Sequence, residues 1–319
     1  MMVAKPPRLF LDTSHLINIS NLRLGKFLRR PQSADAYQRI SDYITNYHFG
    51  LVFDPFSALE WVDKNATLET AIEIANVIDS AKLRYEFAGD TFAYQAEIIA
   101  ELRRIDSSLQ LPDFDVIWPC EAGTYPRLPI VELFKFNPEL FGVEKENADG
   151  MPPPEKWKSI SARVHVENAW KFKHRNPTAF RERVEGHRDA YLRDATEFKQ
   201  RKTKIITNAE LRDWMKRFLK MESIIKSHNA NAKVDELLDA IKLDHCPAIF
   251  LYANAHVKRI LASNVPKDSD VGDWSTVPIV PHCDLFLTEK NLGGFLHQAD
   301  RSLSRRVVSA PAEAVAILG

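Results

Sequence analysis

The chain has 319 residues, 45% of them hydrophobic and 27% charged. That profile excludes a disordered or fibrous chain and leaves a globular protein able to bury a large core in one to three domains. Lys+Arg and Asp+Glu both number 43, so net charge points to no partner, and only the distribution of charge can. Cys120, Cys246 and Cys283 lie far apart without CxxC or Cys/His ligand spacing, which argues against a disulfide framework and against structural zinc. Cys246 and Cys283 are expected to be buried as small hydrophobes. The sequence shows neither an apolar stretch of signal-peptide type nor a run of about eighteen apolar residues. A cytoplasmic protein without membrane contact is therefore expected.

In chain order, Arg8–Asp12 (RLFLD) is a short apolar strand ending in a carboxylate, and Thr13-Ser14 can start a helix. Asp35–Asn46 has helical spacing, with Tyr37, Ile40, Tyr43 and Ile44 on one face. Gly50–Phe53 reads as a second buried strand, stopped by Asp54-Pro55, and a helix starting at Pro55 carries Glu60 in its first two turns. Leu68–Phe87 and Thr91–Ile105 read as two helices separated by Gly89-Asp90. From Leu111 to Pro154 prolines and glycines recur, so this stretch is expected to be irregular. Glu155–Lys204 and Asn208–Ala240 are helix-prone and charged. Pro247–Ala262 reads as a buried helix, Asp284–Thr288 (DLFLT) as a third strand and Arg306–Ser309 as a fourth. With strands at both ends and helices between, one α/β domain with an insertion is favoured: residues 1–65 plus 245–319 form the domain and 66–244 the helical insertion.

Carboxylates beside buried apolar runs are the informative feature. In open parallel sheets, ligands gather outside the carboxyl ends of the strands. Asp12 follows the first strand, Asp54 and Glu60 follow the second, and Asp273 and Asp284 flank the segment leading into the third. Converging acids repel unless a cation neutralises them, and hard oxygen ligands suit Mg²⁺ or Mn²⁺.

The order of these residues resembles the PIN-like ribonucleases. RLFLDTSHLI is similar to that family's opening strand, with its first acid at Asp12 and a small polar partner at Ser14. DPFSALEWV is similar to the segment bearing the second acid, here Glu60. SDVGDWSTVPIVPHCDLFLTE resembles the closing segment of a bacterial PIN-like subgroup. The resemblance implies Asp273 as third acid, Asp284 as fourth, and Asp270 and Glu289 as auxiliary carboxylates. Two residues depart from the family pattern: Glu289 stands where Asp is frequent, and Thr276 where His is. The implied fold is a Rossmann-like parallel sheet flanked by helices. The implied activity is Mg²⁺- or Mn²⁺-dependent hydrolysis of RNA, by an endonuclease before an exonuclease, on single-stranded or structured RNA. A homodimer and a toxin–antitoxin partner are compatible with the family, but no residue pattern supports either, and the chain is long for a toxin.

Blander roles compete. Asp12 can simply cap the helix after it; Glu60 alone is a solvated helix residue; Asp273 can cap a helix at Trp274. Asp284 is the hardest to explain blandly, since an unpaired charge beside an apolar strand is costly. His15, His245, His256, His282 and His297 show no ligand spacing, and His282 near the closing acids is the one worth testing. A phosphatase using LDTS is excluded, because its second acid would fall on Ser14. Between 156 and 204 there are 14 Lys/Arg against six Asp/Glu, interleaved with Trp157, Trp170, Phe172, Phe180, Tyr191 and Phe198. Such a segment can track a phosphate backbone, or it can be a solvated, charge-paired face. The alternative function is a catalytically silent PIN-like scaffold that binds RNA or protein through this segment.

Overall fold

In the computed structural model, residues 6–28, 30–46, 49–55, 57–64, 67–87, 89–108, 116–120, 161–181, 233–262 and 275–319 are described, with a few single positions between 196 and 213. Six strands form one sheet: β1 (Arg8–Leu11), β2 (Gly50–Phe53), β3 (Arg84–Phe87), β4 (Ile117–Cys120), β5 (Leu285–Leu287) and β6 (Val307–Val308). Their order is β4-β3-β2-β1-β5-β6. Five are parallel, and β4 joins antiparallel beside β3 at the edge. An α/β architecture was the expectation, and at that level it holds. The register pairs Leu9 with Leu51 on one side and with Leu285 on the other.

Side chains alternate across a strand, so each strand feeds two cores. Phe10, Val52, Tyr85, Phe286 and Val307 enter one. Leu9, Leu11, Leu51, Phe53, Leu285, Leu287 and Val308 enter the other. The first core is covered by α5 (Asp90–Ile105), α7 (Val234–Ala240), α8 (Pro247–Ala262) and α9 (Lys290–Ala299). The second is covered by α1 (Thr13–Arg23), α2 (Ala34–Thr45), α3 (Ser57–Lys64), α4 (Leu68–Asp79), α6 (Ala162–Arg175) and α10 (Pro311–Leu318). Burial on both faces is why these strands read as unbroken apolar runs. Stacked Phe10 and Phe286 rings, 4.7 Å between centroids, tie β1 to β5 within the first core.

The expected boundary at residue 66 does not hold, because the sheet continues past it. A helix over Leu68–Phe87 was expected, but α4 ends at Asp79 and Arg84–Phe87 is β3. Arg84-Tyr85-Glu86-Phe87 alternates with period two, and Tyr85 and Phe87 share one core. The stretch expected to be irregular contributes β4, whose Pro119 is tolerated because an edge strand can spare a donor. Gly50 lies against the Tyr85 ring so closely that a Cβ would collide with it. Gly89, with φ 103°, makes the turn from β3 into α5.

Two carboxylates start helices from a distance. Asp79 accepts from the main-chain N–H groups of Ala162 and Arg163 at 2.7 and 3.0 Å, opening α6, and is paired with Arg84 at 2.9 Å. Glu97 accepts from Ala248 and Ile249 at 2.6 and 3.1 Å, opening α8 behind Pro247, which has no N–H to offer. Burial raises the Glu97 carboxyl to about 7, against the pull of those two N–H groups. One turn on, Glu101 is held at about 2, chiefly by Arg104 and with help from His245 and the Lys242 N–H. Cys246 and Cys283 are free and buried, as expected, and burial raises both thiols. Among the described residues no helix is long and apolar enough to cross a membrane.

Candidate functional site

The chain builds β1, β2 and β3 outward on one side, then returns to place β5 on the other side of β1. The switch point between β1 and β5 is where open α/β sheets leave a crevice at the carboxyl ends of their strands. Asp12 stands there, its N–H donating to the Leu287 carbonyl at 3.0 Å. It occupies the N-cap position of α1, and its main-chain carbonyl accepts from His15 and Leu16. Its side chain makes no capping bond. Instead its Oδ2 accepts from the Thr288 hydroxyl at 3.0 Å and from the Glu289 N–H at 3.3 Å. Capping therefore does not account for this carboxylate.

Glu60 approaches from the neighbouring strand unit. It lies in the first turn of α3, and its Oε2 accepts from the hydroxyl of Thr13, the residue after Asp12, at 3.2 Å. Thr13 in turn accepts from the Trp61 indole N–H at 3.1 Å. Glu289 is exposed and precedes α9 as its N-cap residue, also without a side-chain cap. Ser14 is half-buried on α1, and its hydroxyl makes no hydrogen bond among the described residues; its carbonyl accepts from Asn18. Asp54, directly after β2, is buried.

His15 lies below Asp12 and is buried. One ring nitrogen is 2.9 Å from the Tyr37 hydroxyl, which also accepts from Asn18 at 3.1 Å. Burial lowers the imidazole, the Asp12 carboxylate pulls it back up, and Arg30 opposes that pull. Burial likewise raises the Tyr37 phenol. A mainly neutral imidazole thus backs the first turn of α1.

Asp284 does not join this group. It precedes β5, and in a parallel pair the residue before one strand lies at the opposite edge from the residue after the other. Its main-chain N–H donates to the Arg8 carbonyl at 2.9 Å, and its Oδ2 accepts from the Arg8 N–H at 2.7 Å. It is exposed and fully accounted for as a clasp on the start of β1. Four residues of strand separate Arg8 from Asp12, roughly 13 Å, too far for one cation. The four-acid set expected from the sequence, with Asp284 as a member, does not form. His282 goes with Asp284 to the far edge, where its carbonyl faces Arg8. Asp270 and Asp273 lie outside the described residues.

In the described part of the basic segment the aromatic residues are spent on packing, while Arg163, Lys171, Arg175 and Arg181 are exposed. Trp170 and Phe172 pack against the second core and Phe180 is buried in it. Lys173 donates to the Val62 carbonyl at 2.9 Å, lies 3.7 Å from Asp63 and sits over the Phe180 ring. Trp157, Tyr191 and Phe198 lie outside the described residues. Sequence reading missed Thr13, Trp61 and Thr288. Thr288 was legible as the residue that follows its strand as Asp12 follows β1; Thr13 and Trp61 gave no comparable signal.

Among the described residues no three Asp, Glu, His or Cys side chains close into a metal cage. Mg²⁺ and Mn²⁺ held mainly through water and substrate oxygens need only one or two protein carboxylates. The all-oxygen group at this edge fits such a sparsely ligated ion and not a zinc or calcium cage. Comparisons with protein-family models, curated proteins and solved structures find no match to the chain. Fold and site together define an α/β protein with Asp12, Glu60 and Glu289 at the strand-end edge beside the switch point of its parallel sheet.

Proposed function

We propose that the crevice at the carboxyl ends of β1, β2 and β5 hydrolyses phosphodiester bonds in RNA with the help of Mg²⁺ or Mn²⁺, in the manner of the PIN-like nucleases the sequence resembles. The observation that carries the reading is the Asp12 carboxylate, which sits at the switch point and is turned from its own helix toward Thr288 and Glu289. Asp12 and Glu60 would hold the cation, with Glu289 beside them and the closing acids of the resemblance, Asp270 and Asp273, as further ligands. The bound ion supplies an activated water and neutralises charge on the phosphate. Thr288 and the Glu289 N–H fix one Asp12 oxygen, leaving the other side of the carboxylate to a ligand. Ser14, at the start of α1, would orient a water or a phosphate oxygen.

The test pairs wild type with Asp12→Asn on labelled single-stranded RNA, with Mn²⁺ or with EDTA. Cleavage that needs Mn²⁺ and disappears in Asp12→Asn at unchanged melting temperature is the expected result. Metal-independent cleavage, or full turnover in the variant, removes the reading.

A second reading, a catalytically silent scaffold of the same fold, is favoured by one observation: no trio of metal-capable side chains among the described residues. Calorimetric titration with Mn²⁺ separates the two, since a scaffold would show no binding that depends on Asp12.

A further inference from the structure

Glu60 is held by an arrangement whose proton bookkeeping can be read from donor types alone. An indole N–H can only donate, so the 3.1 Å contact from Trp61 Nε1 occupies a lone pair of Thr13 Oγ1. The Thr13 hydroxyl proton is then free to point the other way, and the acceptor in that direction is Glu60 Oε2 at 3.2 Å. Glu60 receives this bond as an acceptor.

The anchor of the relay is rigid. Trp61 is 1% exposed and packs in the second core, its ring 5.9 Å from that of Phe53 on β2. Thr13 is the first residue of α1, directly after Asp12. The relay therefore fixes the second acid to the segment that carries the first. Glu60 and Trp61 are consecutive on α3: Trp61 fills the core and Glu60 reaches the Thr13 hydroxyl.

We infer that Thr13 is a positioning residue: its hydroxyl, loaded from behind by Trp61, holds the Glu60 carboxylate as an acceptor beside Asp12. The inference rests on the reading of this edge as a cation-dependent site, in which Glu60 is a ligand. Thr13 was not expected from the sequence, where Ser14 drew the attention.

Two measurements on the full chain test it. In the first, urea unfolding compares Thr13→Val, Glu60→Leu and the double variant. Non-additive losses, with Thr13→Val costing less once Glu60 is gone, are expected for directly bonded partners. Additive losses overturn the relay, whether or not a metal binds. In the second, calorimetry follows Mn²⁺ binding to wild type, Thr13→Val, Thr13→Ser and Trp61→Phe. Loss of an outer partner weakens metal binding by roughly 10–100-fold; that is the effect expected of Thr13→Val, with recovery in Thr13→Ser and an intermediate value for Trp61→Phe. Wild-type Mn²⁺ affinity in Thr13→Val, together with its loss in Asp12→Asn, overturns the positioning role and spares the hydrolase reading. No Mn²⁺ binding to wild type overturns the hydrolase reading instead, and the unfolding cycle then decides the relay alone.

Discussion

Asp12 and Asp284 look alike in the sequence, each a carboxylate touching an apolar strand, RLFLD and DLFLT. In the fold they sit at opposite edges of one sheet and do opposite things. Asp284 is consumed by the start of the neighbouring strand β1, taking the Arg8 N–H at 2.7 Å while its own N–H donates to the Arg8 carbonyl. Asp12 stands at a helix start yet leaves capping undone, and is held by the hydroxyl and N–H that follow β5. In a parallel sheet, whether an acid comes before or after its strand decides which edge it reaches. Ligands in open parallel sheets gather at the edge where strands end, beside the switch point.

The largest contrast is expected in catalysis. Asp12→Asn should reduce Mn²⁺-dependent RNA cleavage by more than the roughly 10–100-fold that loss of an outer partner costs. Asp284→Asn should leave the rate unchanged. Equal loss in both, measured in one assay at saturating Mn²⁺, would break the contrast between the edges.

The partner of Asp12 should give a smaller effect. Thr288 is fully buried and donates to Asp12 at 3.0 Å, so Thr288→Val keeps the shape and deletes the bond. Mn²⁺ affinity by calorimetry should fall by about tenfold. A Val variant that binds as wild type would mean that the Glu289 N–H alone fixes Asp12.

Much of the fold was legible because burial on both faces leaves an unambiguous mark. Gly50–Phe53 and Pro247–Ala262 have the bounds expected of them, and β1, β5 and β6 lie inside their expected runs. β3 was not recognised, since only four residues separate it from an apolar helix and Arg84 and Glu86 disguise the alternation of Tyr85 with Phe87. Of the site, Asp12 and Glu60 were readable as acids after strands. Asp284 was misread although DLFLT shows the acid in front of its strand, and applying the before-or-after distinction would have selected Thr288-Glu289. Thr13 and Trp61 were hidden because their roles depend on α1 meeting α3, a tertiary contact between segments 47 and 48 residues apart.

Helix-capping carboxylates sharpen the contrast through pH. Asp79 caps α6 with Arg84 as counter-charge, whereas no described cation faces Glu97 across its two N–H partners at α8. The Glu97 carboxyl is raised to about 7 from 4.5 by burial, so the folded protein binds a proton there more tightly than the unfolded chain. Its contribution is fully present below 4.5 and is lost as pH rises through 7. Between those limits burial of His15, His165 and His256 lowers each imidazole and works in the opposite direction, so the readout is a difference. The urea stability of wild type minus that of Glu97→Gln should fall as pH rises. A difference that stays constant with pH would remove Glu97 as its source.

The smallest effect belongs to the far edge. Asp284→Ala removes a single hydrogen bond to an exposed carboxylate at the start of β1. That bond lies at an exposed end of the sheet, so water can take over the Arg8 N–H. The loss should be about 0.5–1.5 kcal/mol in urea unfolding, with Mn²⁺ binding untouched. The two readouts must separate: a stability loss with intact metal binding is what an edge clasp gives. Weakened Mn²⁺ binding in Asp284→Ala would mean that the two edges communicate through β1, and the division of labour drawn between Asp12 and Asp284 would have to be abandoned.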